Sequence, residues 1–472
     1  MRTPFVKQDA ARSILAATVI PLLLLAASGC ATLPDAEALF DRLPEFEGLP
    51  LIVGAQGPLS PKERRAALQQ LRKEGVPTDI LERHIKVMEL VSGRVLVSGN
   101  RATLLKDDPV TFDAMLDAIA DAKDHVNLET FIFSDDEVGS EFADLLLEKQ
   151  SEGVQVNLII DGLGSFKTPS EFFAPLRAAG ARTVEFNPVS LRNPAGLLRI
   201  THRDHRKILV VDGEVAFTGG TNIADICAQP SFAFGIASRG APLEKRDTNV
   251  RIEGPAAAEF QKLFLDIWRE QNGPELPLRR YFPQPEHKGN DLVRVIDSSP
   301  RRKGYGTAHL LYLSAIEHAA SSIRLTNAYF IPDRQLLKAL KEASARGVDI
   351  SLIVPGVTDN MIAVHGGRYY YSALLDAGVK IYERQGMILH AKTAVIDGVW
   401  STIGSTNLDH ISLVRMDEVN AVILSREFGA EMEALFAGDL RESKQILPEE
   451  WQARPLLPRL VEWFSSLFLR VL

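Results

Sequence analysis

The chain has 472 residues, of which 46% are hydrophobic and 24% charged, and its formal net charge is −8. The length suits two substantial domains or one two-lobed unit of ordinary globular composition. The acidic balance argues mildly against a nucleic-acid substrate, although a local basic cleft is compatible with it, and two cysteines, one at an expected processing site, exclude a disulfide framework.

Residues 1–30 have the pattern of a bacterial targeting segment. Basic residues precede an apolar run from Ile14 to Ala27, and Ala27-Ser-Gly-Cys30 resembles a lipobox. We predict a signal peptide, cleavage before Cys30 and lipidation of its thiol. The alternatives are a simple membrane anchor and an ordinary secretory signal. Because Ala31 is not acidic, the expected location is the bacterial cell envelope, with a lipid anchor on the periplasmic side of the outer membrane.

Residues 31–100 form an N-terminal tether or variable region, for which the sequence predicts no function. Residues 101–290 form a first half in which helices and strands alternate, a pattern that favours an α/β layer fold. Its predicted elements are helices over 112–123, 138–149 and 256–271, strands over 126–133 and 154–161, a loop over 226–245 near the site, and a linker over 274–290.

Residues 291–445 repeat the plan of the first half. Residues 315–325 echo residues 118–128, and residues 346–353 echo residues 152–159. We therefore predict an α/β fold of two pseudo-symmetric halves, each a mixed β-sheet flanked by helices. A duplicated chain of this kind builds its active site at the interface between the halves.

Residues 446–472 form a C-terminal amphipathic tail. From Leu456 to Leu472 the apolar residues fall largely on one helical face. The segment is too short and too charged to cross a bilayer comfortably. We predict a helix lying in the membrane interface, with Trp463 near the headgroups. The alternative is a helix packed on the core of the protein.

Two sets of polar residues share one spacing, with Lys two, Asp seven and Asn seventeen residues after His. The first set is His205, Lys207, Asp212 and Asn222, and the second is His390, Lys392, Asp397 and Asn407. One copy would be weak evidence, because such residues usually have ordinary structural roles. Two copies, each on an apolar strand-like run, indicate a functional site.

Each set predicts a β-hairpin closed by an Asp-Gly turn. His and Lys, two apart, lie on the same face of a strand. A two-residue turn places His205 opposite Gly220 and His390 opposite Ser405. These small residues are expected to leave room for a tetrahedral substrate group.

The remaining polar residues of the two sets have different expected roles. Asn222 and Asn407 lie just past the histidines and are predicted to bind substrate. Asp212 and Asp397 lie at the turns, an odd number of residues from the histidines. We interpret these two aspartates as members of the catalytic motif with a structural role. They hold the turn or the nearby backbone.

Two imidazoles, two ammonium groups and two amides suit a phosphodiester substrate. A neutral His can attack phosphorus, and a second His can protonate the leaving alcohol. Lysines and asparagines can stabilise charge on the phosphoryl oxygens. This chemistry needs no metal or other cofactor, and the sequence has no obvious carboxylate-rich metal motif.

These motifs resemble the paired His-x-Lys-x4-Asp signature of the phospholipase D superfamily, and the chain looks most like bacterial cardiolipin synthases. The similarity covers roughly residues 90–445. It is carried by the segments 127–133, 162–165, 202–207, 246–247, 254–255, 329–333 and 378–383.

The resemblance implies roles for the paired residues. It implies that His205 is the nucleophile and His390 the acid/base, oriented by Asp247 and Glu418 respectively. The sequence differs from the family pattern at Ile411 and Met416, where similar proteins commonly carry Arg and Asn, and this difference concerns headgroup contacts.

The implied activity is a phosphatidyl transfer that makes cardiolipin from phosphatidylglycerol through a phosphohistidine. The rival is a phospholipase D that releases phosphatidic acid, and a nucleic-acid phosphodiesterase ranks third. A non-catalytic lipid-binding protein is disfavoured by the intact motifs. The expected partners are a phospholipid and a membrane surface, without nucleic acid, and the sequence leaves the oligomeric state open.

Overall fold

The structure is a computed structural model that describes residues 33–44, 48–72, 79–188, 202–225, 244–300, 306–358 and 360–471. The predicted targeting segment, Cys30 and Cys227 lie outside the described residues, as does most of the predicted loop over 226–245.

Strands and helices alternate along most of the chain. The strands are β1 (Ile52–Gly54), β2 (Gly57–Pro58), β3 (Leu96–Lys106), β4 (His125–Thr130), β5 (Gln155–Asp161), β6 (Arg182–Phe186), β7 (Arg203–Asp204), β8 (Ile208–Val211), β9 (Val215–Gly219), β10 (Lys245–Arg246), β11 (Thr248–Glu253), β12 (Asp291–Ser298), β13 (Ser322–Asn327), β14 (Asp349–Pro355), β15 (Lys380–Arg384), β16 (Ile388–Leu389), β17 (Lys392–Ile396), β18 (Trp400–Gly404), β19 (Met416–Leu424) and β20 (Ser443–Ile446). The helices are α1 (Ala36–Phe40), α2 (Pro61–Leu71), α3 (Ile85–Ser92), α4 (Asp108–Ala120), α5 (Glu137–Ser151), α6 (Ala174–Ala178), α7 (Ala257–Glu270), α8 (Thr307–Glu317), α9 (Arg334–Ala345), α10 (Met361–Arg368), α11 (Tyr371–Leu375), α12 (His410–Arg415), α13 (Arg426–Arg441), α14 (Pro448–Gln452) and α15 (Leu456–Val471).

The strands form two copies of one mixed sheet. The first runs in the order β6-β5-β4-β8-β9-β11-β3 and the second in the order β15-β14-β13-β17-β18-β19-β12. In each copy the first three strands are parallel and the others antiparallel. The antiparallel pair β3–β12 joins the two sheets. The predicted α/β class with mixed sheets flanked by helices is confirmed.

The core is continuous between the two sheets. One apolar cluster contains Ile208 and Phe260 from the first half together with Val395, Val419 and Phe428 from the second. Burying a side chain of this size stabilises a fold by roughly 1.5–3 kcal/mol. The shared core therefore holds the strands that carry the two motifs in a fixed relation.

Two short strands of the first half pair with strands of the second half. β7 of the first half pairs in parallel with β19 of the second, and β10 of the first half pairs in parallel with β16 of the second. Each of these pairings lies immediately before a motif histidine, so together they bring both histidines to the boundary between the sheets.

Both motif hairpins form, but the predicted register is wrong by one residue. Glu214 N donates to Val211 O over 3.0 Å, as a two-residue Asp-Gly turn requires. The ladder nevertheless continues with Val211 opposite Val215, so Glu214 is an extra, bulged residue. The second hairpin does the same, with Ile396 opposite Trp400. This bulge shifts each return strand by one position, so the predicted pairings of His205 with Gly220 and of His390 with Ser405 do not hold.

The C-terminal tail forms the predicted helix, α15, and its apolar face points outward. Its polar residues Glu462 and Ser466 are buried, whereas Trp463 and Phe464 are exposed. It packs mainly against α10. In the part of the chain that the structure describes, no helix is both long and apolar enough to cross a membrane.

Candidate active site

The two motif histidines are anchored by the backbone of the opposite half. His205 N donates to Asp417 O over 2.9 Å, and His390 N donates to Arg246 O over 2.9 Å. Both imidazoles are largely buried, at 7% and 6% exposure. Each histidine therefore lies in a site to which both halves contribute.

Each imidazole is held by a carboxylate from the other half. His205 Nδ1 lies 3.0 and 3.1 Å from the two carboxylate oxygens of Glu418. His390 Nδ1 lies 2.6 Å from Asp247 Oδ2. The predicted assignment, Asp247 to the first histidine and Glu418 to the second, is therefore wrong.

The pairing of strands between the halves explains this reversal. Asp417 pairs with Asp204, which places the next residue, Glu418, beside His205. The pairing of β10 with β16 likewise places Asp247 beside His390. Because Nδ1 of each ring donates to a carboxylate, Nε2 is the nitrogen left with a lone pair for a substrate.

Gly220 and Ser405 adjoin the two carboxylates. A side chain at Gly220 would collide with the Asp247 carboxylate. The Ser405 and Ser412 hydroxyls both donate to the Glu418 carboxylate. The expected role of these residues, making room for the substrate, is thus replaced by contacts that position the carboxylates.

The two lysines lie beside the histidines that precede them. Lys207 Nζ donates to His205 O over 2.7 Å, and Lys392 Nζ donates to His390 O. Both side chains are buried. Burial lowers the pKa of Lys207 to about 7, a shift that the Glu418 carboxylate opposes and the Lys392 ammonium enlarges. Two buried lysines therefore lie in the site, and a bound anion would favour the protonated, charged form of their amino groups.

This lowered pKa predicts pH-dependent binding of sulfate, whose charge is constant between pH 6 and 9. A bound dianion favours the protonated ammonium, so the affinity rises as the pH falls from 9 towards 7 and levels off below it. We expect sulfate to raise the unfolding temperature more at pH 6 than at pH 9, as measured by differential scanning fluorimetry. In Lys207→Gln this pH dependence should weaken. An equal effect of sulfate at both pH values would contradict the prediction.

The surroundings of both motif imidazoles favour the neutral form before substrate binds. Burial lowers the pKa of His205, although Glu418 opposes the shift. Burial and the Lys392 charge lower the pKa of His390 to about 3 against the opposing charge of Asp247. A neutral imidazole is nucleophilic. An incoming phosphodiester anion adds the negative charge that favours a proton on one of the two rings.

The carboxylates of the two motif aspartates bind backbone N–H groups, as predicted. The Asp212 carboxylate accepts from the backbone N–H groups of residues 123, 124 and 125 over 2.8–2.9 Å. The Asp397 carboxylate accepts from the N–H groups of residues 320, 321 and 322 and from the Ser321 hydroxyl. Both aspartates have positive φ, 53° and 52°, at the tips of their hairpins. Each ties its hairpin to the start of a neighbouring strand.

Replacing Asp397 with Ala should therefore destabilise the fold. It leaves three backbone N–H groups without their acceptor at a largely buried position. We expect a loss of about 3 kcal/mol in the free energy of unfolding, measured by urea denaturation. Asp113→Ala, at an exposed site of α4, is the control and should change stability little. Equal stability of the two variants would contradict this role.

The two asparagines differ in their contacts. Asn222 Oδ1 accepts from Ile132 N over 3.3 Å, and its side chain is 9% exposed. Asn407 Oδ1 is buried and has no hydrogen-bond donor among the described residues. An unpaired buried acceptor costs free energy, and a substrate hydroxyl could supply the missing donor.

A buried ionic network that could not be predicted from the sequence supports the first histidine. Arg206 Nε lies 2.8 Å from Glu129 Oε1 and 2.9 Å from Asp204 Oδ1, and its Nη2 lies 3.2 Å from Asp417 Oδ2. His202 Nε2 lies 2.9 Å from Asp417 Oδ1. The network fixes β7 against β19. Its one signal in the sequence was the cluster of charged residues around the first motif.

A family model described as "Cardiolipin synthase, PLD-like domain" matches two segments, residues 115–268 and 312–440. A cardiolipin synthase of Alkalihalophilus pseudofirmus is 33% identical over 408 residues, covering 86% of this chain and 78% of the relative. A cardiolipin synthase of a Geobacillus species is 36% identical over 366 residues, covering 77% and 71%.

A solved structure supports the fold. The phosphatidylserine synthase of Haemophilus influenzae aligns with a TM-score of 0.57 at 14% identity, covering 82% of this chain and 98% of that one. At this identity the likeness concerns the fold alone.

The predicted localisation is corrected by these comparisons. The relatives that match most of the chain are cardiolipin synthases, and none of those cited is named as an outer-membrane lipoprotein. The prediction of a lipid-anchored protein on the periplasmic side of the outer membrane is therefore wrong. The residues on which it depended lie outside the described structure.

The family match extends over both repeated halves and includes both histidine motifs. The predicted resemblance is thus confirmed by the family model and by the sequence relatives. The chain belongs to the phospholipase D superfamily, within its cardiolipin synthase-like family, and is an enzyme of the phospholipase D type.

Proposed function

We propose that this enzyme transfers a phosphatidyl group between two phosphatidylglycerol molecules and so makes cardiolipin and glycerol. The observation that carries the proposal is the crossed pairing of two buried histidines with two buried carboxylates. The names of the relatives supply the product, cardiolipin, and the family resemblance supplies phosphatidylglycerol as the substrate.

In the first step, His205 Nε2 attacks phosphorus. A bond between phosphorus and nitrogen forms as the bond to the glycerol headgroup oxygen breaks. His390 takes up a proton on Nε2 when the anionic substrate binds, and Asp247 stabilises the resulting imidazolium. The glycerol leaves with that proton. Glu418 holds His205 in the tautomer whose Nε2 lone pair is free.

In the second step, a hydroxyl of another phosphatidylglycerol loses its proton to His390. Its oxygen then replaces Nε2 on phosphorus and regenerates His205. Lys207 and Lys392 stabilise charge on the phosphoryl oxygens during both steps. Asn222 and Asn407 bind substrate, and the free acceptor of Asn407 suits an alcohol hydroxyl.

No step of this scheme requires a metal ion or another cofactor. The nucleophile, the acid/base and the groups that stabilise charge are all side chains of the chain. The substrate is a bilayer lipid, so we propose that the enzyme works at a membrane surface.

The same first step also serves hydrolysis, in which water replaces the second lipid and phosphatidic acid is released. The test is mass spectrometry of lipids after incubation of the protein with phosphatidylglycerol vesicles and a chelator. The proposal predicts cardiolipin and glycerol in equal amounts. Phosphatidic acid as the main product would make the enzyme a hydrolase, and turnover that stops with the chelator would contradict the metal-free scheme.

A further inference from the structure

Helix α15 carries an apolar surface with no partner in the described chain. Large hydrophobic side chains that are exposed are few among the described residues, and seven of them belong to this one helix. They are Leu456, Leu457, Leu460, Val461, Trp463, Phe464 and Leu467, with 41–74% exposure. A contiguous patch of this kind marks a binding surface.

The helix is held in this orientation by its polar face. The Glu462 carboxylate accepts from Arg454 over 2.6 and 3.1 Å and is 4% exposed. Gly366 of α10 has no side chain, which allows Leu469 and the backbone of Ser465 to approach closely. A helix that packs on its own protein normally buries its apolar face, so α15 is positioned for an apolar partner outside the molecule.

The surface lies near the carboxyl end of β13, a strand that pairs with the strand of the second motif. β13 ends at Asn327, which pairs with Lys392 of the second motif. The next residues contact α10, because Gly367 lies against the carbonyl of Phe330. Phe330 in turn bridges to Leu408, the neighbour of Asn407. Helix α15 therefore covers the region next to the half-site of His390.

The charge distribution favours an anionic partner. Glu462 is the one acidic residue of α15, and it is buried in an ion pair. Arg459 lies on the exposed side of the helix. An apolar face with cationic and no acidic charge matches the surface of an anionic bilayer.

The N-terminal part of the chain approaches from the same side. Leu33, the first described residue, packs against Ala308, Leu413 and Val414, and the last two belong to α12, which contacts α15.

We propose that the outward face of α15 docks on the surface of an anionic lipid bilayer and presents the active-site edge to the substrate lipid. This inference rests on the proposed function for its substrate and extends it by assigning the docking surface. Trp463 lies at the level of the headgroups, as amphipathic aromatic residues do in membrane interfaces.

Tryptophan fluorescence of the full chain tests the docking. The other three tryptophans, Trp268, Trp400 and Trp451, are at most 6% exposed, whereas Trp463 is 47% exposed. Vesicles of phosphatidylglycerol and phosphatidylcholine with brominated acyl chains should quench the Trp463 emission. The Trp463→Phe variant should lose this quenching. Wild-type protein that floats with such vesicles and stays unquenched would overturn the proposal.

A double variant tests the consequence for turnover. Phe464→Glu/Leu467→Glu should lower turnover of phosphatidylglycerol vesicles at least tenfold and retain turnover of dihexanoyl phosphatidylglycerol below its critical micelle concentration. The matched control is Leu278→Glu. Leu278 is fully exposed and lies beside Arg279, whose guanidinium donates to Gly153 O shortly before β5 of the first half. This control should behave as wild type.

Other results of these two experiments also test the docking proposal. Unchanged vesicle turnover in the double variant, or a change in its oligomeric mass instead, would assign the face to a second copy of the chain and overturn the proposal. If wild-type protein turns over neither substrate, the proposed function fails, while the quenching experiment still decides whether α15 docks on lipid.

Discussion

His205→Asn should lower the rate of cardiolipin formation by about 10⁴-fold or more. The variant has no imidazole to attack phosphorus, so the covalent route is closed, and losses of this size are typical when a nucleophile is removed. The rate is measured as the initial formation of cardiolipin from phosphatidylglycerol. The substitution keeps a polar side chain of smaller volume, so the fold should persist.

His287→Asn is the matched control, because His287 is exposed and lies outside the site. It should keep the wild-type rate. Residual activity in His205→Asn above about one hundredth of wild type would show that another group attacks phosphorus.

Substitutions of the two crossed carboxylates should differ in their effects on turnover, and the difference should depend on the leaving group of the substrate. Asp247→Asn removes the charge that stabilises the His390 imidazolium, so less His390 carries the proton that the leaving glycerol needs. Turnover of phosphatidylglycerol should slow by about 10²–10⁴-fold. Release of nitrophenol from phosphatidyl-p-nitrophenol should be affected far less in the first turnover, because nitrophenolate leaves without a proton. Glu418→Gln acts on the nucleophile His205 and should slow both substrates.

The opposite pattern, in which Asp247→Asn slows both substrates and Glu418→Gln spares the nitrophenyl ester, would contradict the crossed assignment. Stopped-flow absorbance of the first turnover measures the difference. The thermal unfolding of both variants serves as the control for folding, because each substitution keeps the size of the side chain.

The fold and the two motifs could be predicted from the sequence because their signals are local. Strand periodicity identified β5 and β17, and the duplication of His205 and His390 at equal spacing indicated one site built from two halves. The aspartates were assigned to the backbone because their spacing puts them at turns, and their hydrogen bonds agree.

The crossing of the carboxylates could not be predicted because it depends on strands of two residues. β7 and β10 are too short to show periodicity, and each pairs with a strand of the opposite half. The order of the residues along the chain suggested pairing within each half. The bulge at Glu214 was equally hidden, since one extra residue leaves the pattern of Asp-Gly turns unchanged.

The preferred interpretation of the sequence placed the apolar face of α15 outward, and the structure has it so. The contacts that hold the helix could not be predicted. The burial of Glu462 depends on Arg454, which lies before the helix and provides its ion pair. Gly366, a residue of another helix, provides the space for close approach.

The most direct measurement is the identification of the covalent intermediate. Wild-type protein would be mixed with phosphatidylglycerol, denatured within one turnover at alkaline pH and digested for peptide mass spectrometry. A phosphatidyl group on the peptide that contains His205, absent from His205→Asn, is the predicted result. A phosphatidyl group on His390 or on another residue, or turnover with no adduct, would contradict the mechanism.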